Sequence, residues 1–546
     1  MSTTGYLNWL ANRGLRTSTN PQTVAIFDTG YDDGSAPAGD HHPDLENPER
    51  LLALESQGNF VFSPSTPEIE DRRGHGTFVA GIITGGPPAA GATDTQGFRL
   101  GTGIAPDVKL VAVQLFDSNS TCSPRSGLGD EPPNNLGNAI TFSRVTSTGA
   151  DKALSANHSW NTVETTYTNI AKLFDDRVLD AAPGTAGTQA MLMVVAAGNN
   201  GKLGVNTVLA PATAKNVISA GATQNYRPST QAGAPTNSCT NPTISFPEEF
   251  TREANNIAEV SAFSSQGPAF GRLGLGLPLA HTVFIAPTVV APGGRVFSAT
   301  PFQSTAYACS NLCRVEWPAS SYYTFSSGTS FSAPVATGVA ALLRKWFLDQ
   351  GVSNPAPSLI KADLISTATD LGSALGGDYR PSHRQGWGRV NLDRATDPTV
   401  ARFYVNENAG LAVSTGIERS WTRTIDSDGR DTLIVLAWSD PSSPITAGHP
   451  PVVNDLRLRV DLVGGNLSWY GNNFGENIDG NDNGYSHPYV TAASAASDTM
   501  NNVEAIFIPA GTFSPGRQIQ IRVTGANVPQ GPQKFSVYAY NVRLSS

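Results

Sequence analysis

The pattern of apolar residues changes near residue 397 of this 546-residue chain, and that change limits what the chain can fold into. From about residue 20 to 395, short apolar runs alternate with segments of helical spacing, as in a mostly parallel sheet with helices. Strands are predicted at residues 23–27, 108–115, 191–197 and 217–222, and helices are predicted to begin at His75 and Ser330. Residues 1–398 are therefore predicted to form an α/β domain whose parallel sheet is flanked by helices.

After about Asp397 apolar and polar residues alternate with a period of two, for example along residues 456–462, 519–523 and 535–539. Such runs, separated by Gly, Asn and Pro turns, are typical of antiparallel sheets with one buried face. Residues 399–546 are therefore predicted to form a jelly-roll-like antiparallel β-sandwich.

Composition excludes several classes of function. The chain has 36 Lys and Arg against 45 Asp and Glu, a formal net charge of −9, and no basic cluster of the kind that nucleic-acid binding requires. Its longest apolar runs are too short to span a bilayer. We therefore expect a soluble protein without a nucleic-acid or membrane partner.

The four cysteines, Cys122, Cys239, Cys309 and Cys313, do not form metal-binding pairs in the sequence. Cys309 and Cys313 could close a small loop, but three disulfide pairings and buried free thiols all stay open. The first residues lack the basic start and apolar stretch of a signal peptide. The chain is expected to be a mature form whose leader, if there is one, lies outside it.

Three short segments together indicate nucleophilic catalysis. Asp28 lies in Ala-Ile-Phe-Asp-Thr-Gly at a predicted strand end, His75 lies between two glycines, and Ser330 lies in Gly-Thr-Ser at the start of an apolar helix. Each segment alone has a plainer interpretation as a turn, a helix start or an N-cap. As a set they supply a serine nucleophile, a general base and a carboxylate that orients the imidazole.

The order Asp, His, Ser and the surrounding motifs resemble the subtilisin-like serine proteases. Further matches are Ala-Ala-Gly-Asn at residues 196–199, Ser-Ser-Gln-Gly-Pro at 264–268 and Gly-Trp-Gly-Arg-Val-Asn at 386–391. The tail resembles the alkaline proteases with a C-terminal β-sandwich, through Leu-Ala-Trp-Ser-Asp at 436–440 and Asn-Val-Pro-Gln-Gly-Pro-Gln at 527–533. The resemblance covers residue 20 to the end and implies a secreted, monomeric endopeptidase that acts on polypeptides without a cofactor in its chemistry.

The resemblance also implies roles for cleft residues. Asn199 would donate a hydrogen bond to the oxyanion, although a turn Asn is the plainer interpretation. Ser159, Trp160 and Asn161 would pair with an extended substrate. The small residues Ala196, Ala197 and Gly198 would leave the first specificity pocket open to a bulky side chain.

Several positions depart from the family pattern, including Phe78 in place of a second His and Thr288 in place of an Asp, and two of them bear directly on the site. Asn161 replaces the usual glycine beside the substrate, which narrows the expected cleft. Phe331 follows the nucleophile where the family usually has Met, so oxidation to a sulfoxide cannot occur there. Activity is therefore predicted to survive peroxide.

A structural calcium ion is predicted in the sandwich, where five residues offer oxygen ligands, although a hydrated Asn/Asp/Gly loop is an equal alternative. These residues are Asp440, Asn454, Asp455, Asp479 and Asp482.

Broad degradation of polypeptides is the function that these observations favour. The alternatives are a selective processing protease, a catalytically inactive scaffold and a glycan-binding or cell-surface-binding module, the last of which rests on the sandwich architecture alone.

Overall fold

The computed structural model describes most of the chain. The described residues are 3–16, 20–34, 41–46, 51–56, 70–71, 73–86, 101–116, 136–145, 152–226, 256–268, 270–271, 283–301, 323–372, 378–445, 452–474, 483–490 and 497–544. All four cysteines, Asp479 and Asp482 lie outside these ranges, so the disulfide pairing and that part of the calcium prediction stay predictions.

A seven-stranded parallel sheet forms the centre of the N-terminal part, in the order β2-β3-β1-β4-β5-β6-β9. Its strands consist largely of apolar residues buried on both faces, which explains why they appear as continuous apolar runs in the sequence. The strands are β1 Thr23–Asp28, β2 Leu51–Ser56, β3 Lys109–Gln114, β4 Ser155–His158, β5 Leu192–Ala196, β6 Ile218–Thr223 and β9 Val289–Pro292. Two antiparallel pairs accompany the sheet: β7 Phe270–Gly271 with β8 Val283–Phe284, and β10 Val296–Ala299 with β11 Tyr323–Ser326.

Helices flank this sheet. They are α1 Thr3–Asn12, α2 Pro43–Glu46, α3 His75–Thr84, α4 Leu136–Arg144, α5 Asn169–Leu179, α6 Thr329–Asp349, α7 Pro357–Thr367 and α8 Leu392–Ala395. Helix α6 has 21 residues, and Pro334 is accommodated in it because the first helical turn lacks internal N–H partners. The predicted α/β architecture is confirmed.

Residues from Arg402 onward form two antiparallel sheets, in the orders β12-β19-β14-β17 and β16-β15-β18-β13-β20. Apolar side chains from both sheets share one buried core, as expected for a sandwich. The strands are β12 Arg402–Val405, β13 Glu418–Ile425, β14 Thr432–Ala437, β15 Asp455–Leu462, β16 Ser468–Tyr470, β17 Val503–Ile508, β18 Gln518–Asn527, β19 Ser536–Tyr540 and β20 Val542–Leu544.

The four-stranded sheet of the sandwich packs against helix α7. Ile360 and Leu364 of α7 belong to the same buried apolar cluster as Leu433, Val435 and Tyr538 of the sandwich. One continuous core therefore runs from the parallel sheet into the sandwich. Among the residues described, no helix has the length and apolar character needed to cross a membrane.

Candidate active site

The candidate catalytic residues lie where adjacent strands end. Strands β1, β4 and β5 are neighbours in the sheet, and they lead into Asp28, Ser159 and Asn199. The carboxyl ends of parallel strands meet at one edge of the sheet, where crevices form in open α/β folds. The first turns of helices α3 and α6 bring His75 and Ser330 to the same edge.

Asp28 and His75 form a close pair. His75 Nδ1 lies 2.7 Å from Asp28 Oδ1, which also accepts a hydrogen bond of 2.8 Å from the backbone N–H of Thr29. The Asp28 side chain is 3% exposed and that of His75 is 26% exposed. Burial alone would lower the pKa of His75, but the negative charge of Asp28 and its hydrogen bond raise that pKa above its ordinary value. The pair is therefore suited to hold a proton on the imidazole during a reaction.

A second buried carboxylate, Asp71, organises the loop before α3, and the sequence analysis did not single it out. Asp71 accepts hydrogen bonds from the hydroxyl of Thr29 (2.7 Å), from the backbone N–H of Gly74 (2.8 Å), and from both the N–H and the hydroxyl of Thr77 (2.7 Å each). Burial raises the pKa of Asp71, while these donors act in the opposite direction. The residue after β1 and the first turn of α3 are therefore joined at one carboxylate, which fixes where the helix of His75 begins.

Glycine at position 76 is required by the close approach of β1 to α3. A Cβ atom at Gly76 would lie within 2.2 Å of the carbonyl oxygen of Gly30. The backbone N–H of Gly76 donates to the hydroxyl of Thr29 at 3.0 Å. The glycine beside His75 thus permits a backbone contact that aligns the imidazole with Asp28.

Ser330 and Ser159 bond to each other in both directions. The Ser330 hydroxyl donates to the carbonyl of Ser159 at 3.0 Å, and the Ser159 hydroxyl donates to the carbonyl of Ser330 at 2.7 Å. The Ser330 hydroxyl is therefore turned toward the substrate-side segment instead of bonding to His75. Catalytic hydrogen bonds are often long or absent before substrate binds, and the Ser330 hydroxyl would have to turn toward His75 to react.

Asn199 is anchored through its side-chain oxygen. Asn199 Oδ1 accepts hydrogen bonds from the N–H of Thr329 (2.8 Å) and from its hydroxyl (3.0 Å). The Nδ2 group makes no hydrogen bond within the described part of the chain, and it lies 3.7 Å from where a Cβ on Gly328 would be. An amide donor is thereby held beside the first turn of α6, where an oxyanion formed at Ser330 would develop.

The side chain of Asn161, which was expected to narrow the cleft, bonds to the facing cleft wall. Asn161 Nδ2 donates to the carbonyl oxygens of Ala196 (2.6 Å) and Leu209 (3.4 Å), so the side chain spans the space between the two wall segments. Ala196 and Ala197 are fully buried. The amide of Asn161 therefore lies across the space that was expected to be open to a bulky side chain, and the size of side chain that this pocket accepts stays a prediction.

Trp160 lies in the interior, with 7% of the residue exposed. Its ring makes edge contacts with Phe116, His158 and Phe174 at 5.8 to 6.0 Å between centroids. Of residues 159–161, the backbone and the side chains of Ser159 and Asn161 are therefore the parts that face the reacting groups.

The ring of Phe331 lies beside the imidazole. Its centroid is 5.4 Å from that of His75 and 4.6 Å from that of Phe78, and both phenylalanines are buried. Aromatic carbon thus occupies the position next to the nucleophile.

Three of the predicted calcium ligands have hydrogen-bond partners within the protein, and one of them is Asp455, which accepts from Arg457 at 3.5 Å. Asp440 accepts from Lys215 Nζ at 2.5 Å and from the backbone N–H groups of Val453 and Asn454, and the Asn454 side-chain oxygen accepts from the N–H of Gln530. Within the described ranges, no three His, Cys, Asp or Glu side chains form a group that could hold a metal ion. Calcium binding stays a prediction, and in this structure the carboxylate of Asp440 pairs with a buried lysine.

Comparison with known proteins places the chain in a family. The model of the Subtilase family, Peptidase_S8, matches residues 19–388, and the chain belongs to that family. Subtilisin BL of Lederbergia lenta is 25% identical, in an alignment covering 70% of this chain and 93% of that protein. The fold described above is thus that of a subtilase.

Other similar proteins are longer. Two serine protease/ABC transporter B family proteins of Dictyostelium discoideum are 25% and 24% identical over 94% of this chain, which spans 30% and 31% of their lengths. Among solved structures, fervidolysin of Fervidobacterium pennivorans, a keratinolytic enzyme related to subtilisin, is similar with 20% identity and a TM-score of 0.46. That match covers 91% of this chain and 52% of fervidolysin.

Proposed function

We propose that this subtilase is a serine endopeptidase in which Ser330 attacks the peptide carbonyl, His75 transfers the proton and Asp28 orients and stabilises the imidazolium. The observation that carries the proposal is the 2.7 Å pairing of Asp28 with His75 at the strand edge where Ser330 and Asn199 also lie. Family membership supports peptide hydrolysis as the reaction.

In the proposed reaction the Ser330 hydroxyl turns from Ser159 toward His75 as substrate enters. His75 takes the hydroxyl proton, the serine oxygen bonds to the carbonyl carbon, and the carbonyl oxygen gains negative charge. Asn199 Nδ2 and the backbone N–H of Ser330 stabilise that charge. His75 then gives its proton to the departing amine, and water releases the acyl group by the same steps.

Substitution of the nucleophile tests this proposal. Ser330→Ala should lower kcat on an unfolded protein substrate by several orders of magnitude and abolish labelling by a fluorophosphonate, because the attacking oxygen is gone. Ser332→Ala is the matched control: its hydroxyl bonds to the carbonyl of Thr329, and it lies outside the reacting set. Equal activity of Ser330→Ala and the unchanged chain would refute the mechanism.

Asn199 is tested separately. Asn199→Asp retains an oxygen that can accept from Thr329 but loses the amide donor, so kcat should fall at least about 100-fold with a small change in KM. A change confined to KM would contradict an oxyanion role.

An extracellular location also belongs to the proposal and rests on the family resemblance. It predicts that activity dependent on Ser330 appears in the culture medium of producing cells. Activity found only in the cell lysate would contradict it.

A further inference from the structure

The substrate side chain next to the scissile bond has a defined place in this structure. Two segments contact the first turn of α6. Residues 159–161 do so through the reciprocal bonds of Ser159 and Ser330, and residues 196–199 do so through Gly198 and Asn199. The Gly198 N–H donates to the hydroxyl of Thr329 at 3.1 Å. The space between these two segments is here named the specificity pocket.

The position of the scissile carbonyl follows from the proposed function. Its carbon must reach Ser330 Oγ, and its oxygen must point to Asn199 Nδ2. A substrate strand that pairs with residues 159–161 then directs the side chain of the carbonyl-bearing residue between the two segments. That side chain therefore enters the specificity pocket.

Asn161 spans this pocket. Its amide donates to the carbonyl of Ala196 at 2.6 Å and is 3.4 Å from that of Leu209, so the side chain ties one wall to the other. Moving it aside would break the 2.6 Å bond to the carbonyl of Ala196, and the loss of a hydrogen bond to a buried carbonyl costs free energy. The carbonyl of Leu209 would keep a donor, the N–H of Ala212 at 2.9 Å. Asn161 is thus held across the pocket.

Leu209 fills space in the specificity pocket beside Gly198. Its N–H bonds to the carbonyl of Ala197 at 3.0 Å, and the residue is only 9% exposed. A Cβ atom placed on Gly198 would lie 2.9 Å from Leu209 Cγ, so the isobutyl group already packs against the Gly198 backbone. The volume that the small residues at 196–198 would have left free is therefore occupied by this chain itself.

We infer that Asn161 and Leu209 close the specificity pocket, so that this chain cleaves peptide bonds that follow a small residue, namely Gly, Ala or Ser. The inference rests on the proposed function and narrows it from broad degradation to a restricted set of bonds. A phenylalanine or leucine side chain in that position would have to displace the amide bridge.

A peptide series that differs only in the residue before the scissile bond tests the inference. The unchanged chain should show kcat/KM at least about tenfold higher for Ala and Ser than for Phe and Leu. Asn161→Gly should raise kcat/KM for the Phe peptide at least about tenfold and leave the Ala peptide nearly unchanged, because only large side chains need the vacated space. Leu209→Ala should also raise kcat/KM for the Phe peptide, and this variant replaces Asn161→Gly in the test if Asn161→Gly does not fold.

Asn206→Gly is the matched control, because Asn206 is exposed with a φ of 58°, which glycine adopts readily. It should leave the preference unchanged. Preferential cleavage after Phe, Tyr or Leu by the unchanged chain would overturn the inference, as would an Asn161→Gly variant with the same preference as the control.

Binding separates failure of the inference from failure of the proposed function. Product peptides ending in Ala or Phe are titrated onto the Ser330→Ala chain, which compares the affinity of the pocket for the two side chains without turnover. Tighter binding of the Ala peptide supports the closed pocket even if Ser330 were not the nucleophile. Tighter binding of the Phe peptide would overturn it while leaving the triad intact.

Discussion

A buried ion pair between Lys215 and Asp440 joins the catalytic part to the sandwich, and breaking it tests whether the two unfold as one unit. Lys215 lies between β5 and β6, Asp440 follows β14, and both side chains are fully buried with Nζ and Oδ2 2.5 Å apart. Lys215 also donates to Ser443 and to the carbonyl of Pro441. Asp440→Ala leaves the ammonium buried without its anion, which should cost about 3–5 kcal/mol of unfolding free energy.

The shift of the melting temperature depends on how much of the chain melts together. With an unfolding entropy of about 2.1 cal/mol/K per residue, a loss of about 4 kcal/mol lowers Tm by about 3–4 °C if all 546 residues unfold cooperatively. If a sandwich of about 150 residues unfolds alone, the same loss lowers its Tm by about 13 °C. The shared core between α7 and the sandwich favours the single transition and the smaller shift.

Differential scanning calorimetry of the unchanged chain and of Asp440→Ala measures both quantities. Asp176→Ala is the control, because the Lys172–Asp176 pair has a similar distance of 2.7 Å but side chains that are 39% and 45% exposed. Its loss should stay below about 0.5 kcal/mol. If Asp440→Ala destabilises no more than this control, the reasoning from burial is wrong; two separate endotherms would contradict the single unit.

Two further predictions concern the imidazole and its neighbour. The charge of Asp28 raises the pKa of His75, and only the neutral ring can accept the serine proton, so kcat/KM should rise with pH through a pKa above the ordinary histidine value. Asp28→Asn should move that rise to lower pH, both in the kinetics and in an NMR titration of His75. A pH profile that does not move would exclude the pairing of Asp28 with His75. Peroxide should leave the activity of the unchanged chain intact, whereas the Phe331→Met variant should lose activity with peroxide dose while it remains folded. Equal sensitivity of the two proteins would show that oxidation at residue 331 does not control the activity.

Four of the seven strands of the parallel sheet, β1, β3, β5 and β6, could be predicted from sequence because both faces of the sheet are covered. Strand β5 was predicted at residues 191–197 and extends from Leu192 to Ala196, and α3 begins at His75 as predicted. Local patterns of apolar residues fix such elements. The positions of Asp28 and Asn199 near one edge of the sheet then follow from the parallel arrangement, since Asp28 is the last residue of β1 and Asn199 lies shortly after β5.

Contacts between side chains that are distant in sequence could not be predicted in this way. Lys215 and Asp440 are 225 positions apart, and a lysine in the sequence is usually an exposed one. Asp440 was predicted as a calcium ligand because its carboxylate oxygens bind cations. The cation that they bind in this structure is the buried ammonium group of Lys215. The amide of Asn161 could be recognised as unusual, but its bond to Ala196 depends on the spacing of β4 and β5.

The sandwich should affect stability more than the chemical step, and the reason is the length of α6. Ser330 lies in the first turn of this helix, whereas Phe347, near its other end, makes edge contacts with Tyr404 and Tyr538 of the sandwich at 5.2 and 6.3 Å between ring centroids. At about 1.5 Å per residue, the seventeen positions between Ser330 and Phe347 correspond to about 25 Å. A loosened interface therefore removes packing from the far end of the helix, while Asn199 and Ser159 still hold its first turn. Asp440→Ala should accordingly keep its kcat well below the melting temperature, and a loss of kcat there would show that the interface also positions the nucleophile.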